Sequence, residues 1–152
     1  MKIGLDTNVL AYFAGVDHGP DDDAKVARSR HVVQLLRDRV VLIMPTQVLG
    51  ELYVVMVRNG RSRSIARDIV ATFAAQFETV AAPLETFTTA FDLATDHKLQ
   101  LWDSLIISTA ANAGCALLLS EDMQDGFTVR GMTIANPFLE TVQPTLGRLL
   151  NG

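Results

Sequence analysis

The fold class is decided by the first residues of the chain, which read Lys2-Ile3-Gly4-Leu5-Asp6-Thr7-Asn8. The apolar run 2–5 has the length of a buried strand, and a helical stretch over 7–13 follows it directly. Further strand-like apolar runs lie at 40–44, 79–81, 115–119 and 132–135. Stretches with helical spacing separate them, at 24–38, 45–58, 62–76, 84–97 and 103–113. Strands that alternate with helices predict an α/β fold with a parallel, doubly wound sheet.

Length and composition set the broad class of protein. A chain of 152 residues, 49% of them hydrophobic, has the size of one domain and enough apolar side chains for a core. The single cysteine excludes an intrachain disulfide and a cysteine-rich zinc site, which favours a cytoplasmic protein. No apolar run approaches the roughly 20 residues that span a bilayer, and Asp6 comes too early for a signal peptide.

Several common chemistries have no motif in this chain. The sequence contains no GxxxxGK[ST] phosphate loop, no GxGxxG and no GxSxG. The three histidines, His18, His31 and His97, lack the spacing of metal ligands. Cys115 and Trp102 are expected to be core residues.

Four carboxylates lie at positions where chemistry is expected. Asp6 and Asp122 each follow a predicted strand, Asp103 opens a predicted helix, and Glu51 is the only charge in the apolar stretch 48–57. Each has a structural alternative. Asp6 and Asp103 suit helix N-caps, Asp122 suits a surface turn, and Glu51 suits an ion pair with an arginine of a neighbouring helix.

The four acids would converge if the strands 2–5 and 115–119 are neighbours, because ligands bind at the carboxyl ends of parallel strands. Two carboxylates about 4 Å apart repel each other by roughly 4 kcal/mol at an effective dielectric constant near 20. Such a cluster requires raised pKa values or bound cations. Mg²⁺ or Mn²⁺ suits oxygen ligands and activates water for phosphodiester cleavage.

The same residues carry a resemblance to a known family. Its pattern is matched in order by Asp6-Thr7-Asn8, Glu51, Trp102-Asp103-Ser104 and Ser120-Glu121-Asp122. In these residues the chain resembles PIN-domain ribonucleases, especially the VapC-like toxins of type II toxin–antitoxin pairs. The resemblance covers residues 1–138 and implies a three-layer α/β/α fold with a parallel sheet of four to five strands. Residues 139–152 are left as a C-terminal tail, expected to pack on the domain or at an interface.

The resemblance also implies roles for individual residues. Asp6, Asp103 and Asp122 would be metal ligands, and Glu51 a ligand or the acid that holds the attacking water. Supporting hydrogen bonds are expected from polar neighbours, namely Thr7, Asn8, Ser120 and Asp125. The acid of this loop that completes the site is one of Glu121, Asp122 and Asp125. Asp122 is favoured because it lies two residues after Ser120.

The partners implied by the resemblance are an RNA substrate, a cognate antitoxin whose peptide covers the acidic site, and a second copy of the chain in a homodimer. The net charge of −4 is unfavourable for RNA binding, but eight of the 13 basic residues fall between Arg28 and Arg67. Arg58, Arg61 and Arg63 are candidates to guide RNA, with a solvated helix–helix turn as the alternative. Tyr53 is the nearest aromatic residue, so this stretch does not indicate base stacking.

Three other functions compete with a ribonuclease. A haloacid-dehalogenase-type phosphatase needs a second aspartate where this chain has Asn8. A response-regulator receiver needs an acidic pair before a separate phospho-accepting aspartate, and the chain has no such arrangement. A PIN-like module that binds nucleic acid without cleaving it remains, although a scaffold has no reason to collect like charges.

Overall fold

The computed structural model describes residues 1–16 and 19–152, so His18 and part of the predicted loop 15–23 lie outside the described residues. The strands are β1 (Lys2–Leu5), β2 (Val41–Pro45), β3 (Glu78–Val80), β4 (Leu117–Leu119), β5 (Thr128–Val129) and β6 (Met132–Ala135). The helices are α1 (Thr7–Phe13), α2 (Asp23–Arg37), α3 (Thr46–Arg58), α4 (Arg63–Gln76), α5 (Leu84–His97), α6 (Leu101–Asn112) and α7 (Pro144–Asn151). A short 3-10 turn, Pro20–Asp22, precedes α2.

Within the described residues the strands form one sheet in the order β3-β2-β1-β4-β6-β5. The first five strands of this order pair in parallel, and β5 pairs antiparallel with β6 at the edge. The predicted α/β fold with a central parallel sheet is therefore confirmed, with β5 as an additional strand. Strands β2 and β3 lie on one side of β1, and β6 and β5 lie on the other side, beyond β4. The point where the strand order reverses lies between β1 and β4, where Leu5 pairs with Leu119.

Helices cover both faces of the sheet, since the consecutive residues Ile3, Gly4 and Leu5 of β1 are all buried. Gly4 permits the close approach of α6. A Cβ atom there would lie 3.0 Å from Leu118 Cδ1 and 3.1 Å from Ala110 Cβ. Cys115 packs beside it as a buried core residue, as predicted, and its burial raises the pKa of its thiol to about 11.

The tail forms an element that the sequence patterns did not predict. Helix α7 packs against α2, and its Leu146 is fully buried in the core. The side chain of Gln143 caps the helix by accepting hydrogen bonds from the amides of Thr145 and Leu146, at 2.7 and 3.0 Å. Across the described residues, none of the helices combines the length and the apolar character needed to cross a membrane.

Candidate active site

A cavity of about 1100 Å³ opens where β1 and β4 end, beside the first turns of α1 and α6. All four acids singled out in the sequence line it: Asp6, Glu51, Asp103 and Asp122. The pairing of β1 with β4 brings Asp6 next to the end of β4, and α3 and α6 bring Glu51 and Asp103 to the same space. The acids therefore share one site at the switch point of the sheet, where open α/β folds bind ligands.

Asp6 is only 5% exposed and is held by hydrogen bonds to both carboxylate oxygens. Its Oδ1 accepts from the Thr7 amide at 2.7 Å, in the N-cap position of α1, and its Oδ2 accepts from the Ser120 hydroxyl at 2.7 Å. Helix capping and membership of the acidic site thus coexist in this residue. The hydroxyl of Ser120 also accepts from the Met123 amide at 3.2 Å, which links the loop after β4 to Asp6.

The acids influence one another electrostatically. Burial raises the pKa of Asp6 to about 7; its hydrogen bonds with Ser120 and Thr7 oppose the rise, and the charges of Asp103 and Glu51 add to it. Burial likewise raises the pKa of Asp103, and the charges of Glu51 and Asp122 raise it further. Glu51, Asp103 and Asp122 therefore each raise the pKa of at least one other acid of the cavity.

Glu51 is fixed on α3 by neutral donors. The Thr7 hydroxyl donates to its Oε2 at 2.6 Å, and the amide of Gln47 donates to its Oε1 at 2.9 Å. No arginine within the described residues forms an ion pair with it, so the salt-bridge alternative is wrong. Gln47 was missed by the sequence reasoning, although its place four residues before Glu51 on one helix face is a usual spacing for such a bond.

Asp103 lies in the first turn of α6 but does not open it, because the helix begins at Leu101. No side chain caps α6 at Gln100, and Asp103 is half-buried in the cavity wall. The N-cap alternative for Asp103 is therefore wrong. The prediction that Trp102 is a core residue is also wrong, since its side chain is 48% exposed. The buried part of α6 is the following stretch, Ser104–Ala110, which leaves the first turn at the cavity.

Asn8 joins the two strand ends. Its side-chain amide donates to Asp122 Oδ2 at 3.0 Å and to Asp6 Oδ2 at 3.4 Å, and its Oδ1 accepts from the Glu121 amide at 3.2 Å. This amide holds Asp122 beside Asp6 without adding a further negative charge. Asp122 itself is exposed, as the surface-turn alternative predicts, and it still borders the cavity.

The three acids of the loop after β4 have different neighbours. Glu121 forms an ion pair with Lys25 of α2. The Nζ atom of Lys25 also lies over the ring of Tyr12, 5.6 Å from its centre. Asp125 Oδ1 accepts from the backbone amide of Asn136 at 2.7 Å. Asp125 does not line the cavity. Asp122 is the loop acid linked through Asn8 to Asp6. Sequence reasoning did not single out Lys25, because its partner is distant along the chain.

Among the described residues, the cavity offers carboxylate oxygens and neither cysteine nor histidine, which fits a hard divalent cation in type. The carboxylates are not gathered around one point. Within residues 1–16 and 19–152, no group of three or more His, Cys, Asp or Glu side chains is arranged to hold a metal ion. The site thus has suitable ligands for Mg²⁺ or Mn²⁺ without a fully assembled coordination sphere.

The three candidate arginines occupy different places. Arg58, at the end of α3, is exposed and borders the cavity. Arg61 donates to the carbonyl of Ala14 at 3.1 Å and thereby ties the turn after α3 to the end of α1. Arg63 is exposed at the start of α4, away from the cavity lining. Only Arg58 of the three adjoins the acids.

The site is an acidic cavity at the switch point of a parallel sheet, and the Asp-Thr-Asn that follows the first strand lines it. These two features indicate the class of the protein. The family model of the PIN domain matches residues 3–125. The chain belongs to the PIN domain family, and the resemblance noted in the sequence is confirmed. A comparison with curated proteins gives no significant match.

Solved structures of similar fold are VapC proteins and toxin–antitoxin complexes. VapC20 of Mycobacterium tuberculosis, described as a toxin that cleaves the sarcin-ricin loop, aligns with a TM-score of 0.60 and 17% identity over 76% of this chain and 86% of its own. VapBC2 of Rickettsia felis, bound to a DNA fragment of its promoter, aligns with a TM-score of 0.65 and 16% identity, over 88% and 97%. A toxin–antitoxin complex from Klebsiella pneumoniae gives 0.63 and 16%, over 90% and 98%.

Proposed function

We propose that this protein is a metal-dependent endoribonuclease and the toxin of a toxin–antitoxin pair. The observation that carries the proposal is the grouping of Asp6, Glu51 and Asp103 in one cavity of a PIN domain, where the charges of neighbouring acids add to the raised pKa values of Asp6 and Asp103. An arrangement that raises the pKa of its own carboxyl groups weakens the fold unless a cation relieves the repulsion. Membership of the PIN family and the likeness to VapC20 support RNA as the substrate.

The roles of the residues follow from their contacts. Asp6, Asp103 and Asp122 would hold Mg²⁺ or Mn²⁺, which supplies activation of water and neutralises charge on the cleaved phosphate. Glu51, held on both oxygens by Thr7 and Gln47, is a further ligand or orients the attacking water. Ser120 donates to the carboxylate of Asp6 and Asn8 donates to that of Asp122, and these hydrogen bonds would hold the two ligands in place.

The proposed assembly follows the structural neighbours. Two of them are complexes of a toxin with its antitoxin, which supports an antitoxin protein as the partner of this chain. We include a homodimer and a cytoplasmic location in the proposal, the latter because the single cysteine is buried and unpaired.

The test is cleavage of a mixed RNA pool by the wild type, Asp6→Ala and Asp103→Ala, each with Mg²⁺, Mn²⁺ or EDTA. We expect metal-dependent cleavage by the wild type and a loss of at least about 100-fold in both variants, because each loses a metal ligand. Asp92→Ala removes an exposed carboxylate of α5, away from the cavity, and should cleave like the wild type.

Unchanged cleavage by both site variants would refute the assignment of the site. RNA binding that needs the acids, without any cleavage, would instead support a binding module. Hydrolysis of small phosphate monoesters without nuclease activity would support a phosphatase.

A further inference from the structure

The cavity contains an aromatic side chain with a free face. Trp102, in the first turn of α6, is 48% exposed and lines the cavity directly beside Asp103. Its indole forms no ring contact with another aromatic residue of the described part of the chain. An exposed tryptophan beside an acidic site is unusual enough to require a reason, since tryptophan is highly buried on average.

Among the described residues, one other tyrosine, phenylalanine or tryptophan lines the cavity, and it has no such face. Tyr12 is 8% exposed, packs edge-on against Phe138 with ring centres 5.3 Å apart, and has Lys25 over its ring. Trp102 is therefore the aromatic group that a ligand entering this cavity would meet. The buried stretch Ser104–Ala110 anchors α6 in the core and thereby fixes the backbone from which both Trp102 and Asp103 extend.

Arg58 and Val54 of α3 border the same cavity and are exposed. Within residues 1–16 and 19–152, the guanidinium of Arg58 has no ion-pair partner, so its charge is available to a phosphate. The cavity thus offers an aromatic plane, a cation and a group of acids. These match the base, the phosphodiester backbone and the reacting phosphate of a nucleic-acid strand.

We propose that Trp102 stacks on an unpaired base next to the cleaved phosphate, with Arg58 contacting the backbone of the same strand. This inference rests on the proposed function and narrows its substrate class. The RNA must present an unstacked base, as loops and single strands do, because a base inside an A-form helix cannot reach the indole. A stacking base also explains why the aromatic side chain stays exposed beside Asp103.

Trp102 is the only tryptophan of the chain, so its intrinsic fluorescence reports the contact directly. The probes are single-stranded oligoribonucleotides of about 12 nucleotides with mixed bases, abasic oligomers of equal length, and a blunt RNA duplex. We expect the single strand to quench the fluorescence in EDTA, and the abasic oligomer and the duplex to leave it nearly unchanged. Equal quenching by the abasic oligomer, or no quenching by any of the probes, would overturn the proposal.

Variants separate stacking from a structural effect. Binding of a labelled single strand, followed by its anisotropy, should weaken about tenfold in Trp102→Ala and less than about threefold in Trp102→Phe, which keeps a stacking ring. Phe91→Ala, an exposed aromatic residue of α5 outside the cavity, should bind like the wild type. Unchanged affinity of Trp102→Ala for the single strand would contradict stacking. This result is also the one expected if the indole contacts a protein partner instead of RNA.

Both measurements need no cleavage, so their outcome is independent of the proposed activity. A protein that shows base-dependent quenching but never cuts RNA would refute the nuclease and leave the stacking role intact. Metal-dependent cleavage of RNA without any quenching would support the nuclease and refute the stacking role of Trp102.

Discussion

Asp6 has two sets of neighbours with opposite effects on its charge. The Thr7 amide and the Ser120 hydroxyl donate to the carboxylate and stabilise it, whereas burial and the nearby acids favour the neutral form. The second set prevails, because the pKa is raised to about 7. Near neutral pH the carboxyl group of the metal-free protein therefore keeps part of its proton.

This raised pKa predicts that the metal-free protein loses stability as the pH rises. Between 3.8, the ordinary value, and about 7, the folded state binds more protons at Asp6 than the unfolded state does. The free energy of unfolding contributed by this group then falls with pH, by at most about 1.4 kcal/mol per pH unit. Asp6→Asn keeps an acceptor for Thr7 and has no proton to lose, so it should be more stable than the wild type near pH 7 by a few kcal/mol.

Urea unfolding in EDTA at several pH values checks this expectation. The difference between the wild type and Asp6→Asn isolates the contribution of Asp6, and Asp92→Asn controls for the loss of one surface charge. A constant difference across the whole pH range would show that the two states of the wild type protonate Asp6 alike.

At the same scale, the acids were predictable and Trp102 was not. A carboxylate directly after an apolar run stands out in the sequence because burying it is costly. A tryptophan looks like a core residue unless the position of its helix relative to the sheet is known. Here α6 begins at Leu101, two residues before the predicted start, and that shift places Trp102 at the cavity.

Among the elements, α3 contains a glycine that packing does not require. Gly50 is exposed in the interior of this helix, and a Cβ atom there would meet nothing within 4 Å. Glycine in a helix interior costs about 0.5–1 kcal/mol relative to alanine. The residue lines the cavity beside Glu51, so its missing side chain leaves this wall open.

We expect Gly50→Ala to stabilise the protein and to slow RNA cleavage. The free energy of unfolding should rise by about 0.5–1 kcal/mol, or Tm by roughly 2 °C, while the added methyl group narrows the approach to Glu51. Gly147→Ala in α7 is the matched control, since its Cβ would make an ordinary 3.6 Å contact with Val142 outside the cavity. Faster cleavage by Gly50→Ala, or equal slowing in both variants, would contradict this role of the cavity wall.

The elements that the sequence predicted carry clear local signals over several residues, whereas the elements that it missed carry few. Strand β2 is a continuous apolar run and β1 is apolar after Lys2, and α3 ends at a helix-stopping pair, Asn59-Gly60. Strand β5 has two residues and exists because it pairs with β6 across a turn at Arg130-Gly131. Helix α7 did have a signal, a proline at its first position after a capping glutamine.

For the whole molecule, the consequence of α7 is that the core extends beyond the family match. The PIN model ends at residue 125, whereas Leu146 is 0% exposed and packs with the residues of the central core. We expect Leu146→Ala to lower the free energy of unfolding by about 2–5 kcal/mol through the cavity it leaves. Leu139→Ala removes the same atoms from a 42% exposed position and should cost far less. Denaturant unfolding measures both, and equal losses would mean that α7 contributes no core packing.

Assembly of the site depended on one fact that no local pattern contains, the adjacency of β1 and β4. The sequence could show that the acids would converge if these strands paired, because Asp6 follows β1 and Asp122 follows β4. The pairing itself joins residues more than a hundred positions apart, such as Leu5 and Leu119. Such non-local contacts are decided by the packing of the entire chain rather than by neighbouring residues.

The buried Cys115 gives the folded protein a built-in reporter of its own opening. A thiol reagent added from solvent reacts with a thiolate, and this group is both enclosed and held protonated, with a pKa of about 11. Labelling therefore requires an opening that exposes the region around Gly4 and Ala110. For the same reason, a second cysteine placed on the surface would carry a fluorophore or spin label at one defined position, without any need to remove the native residue.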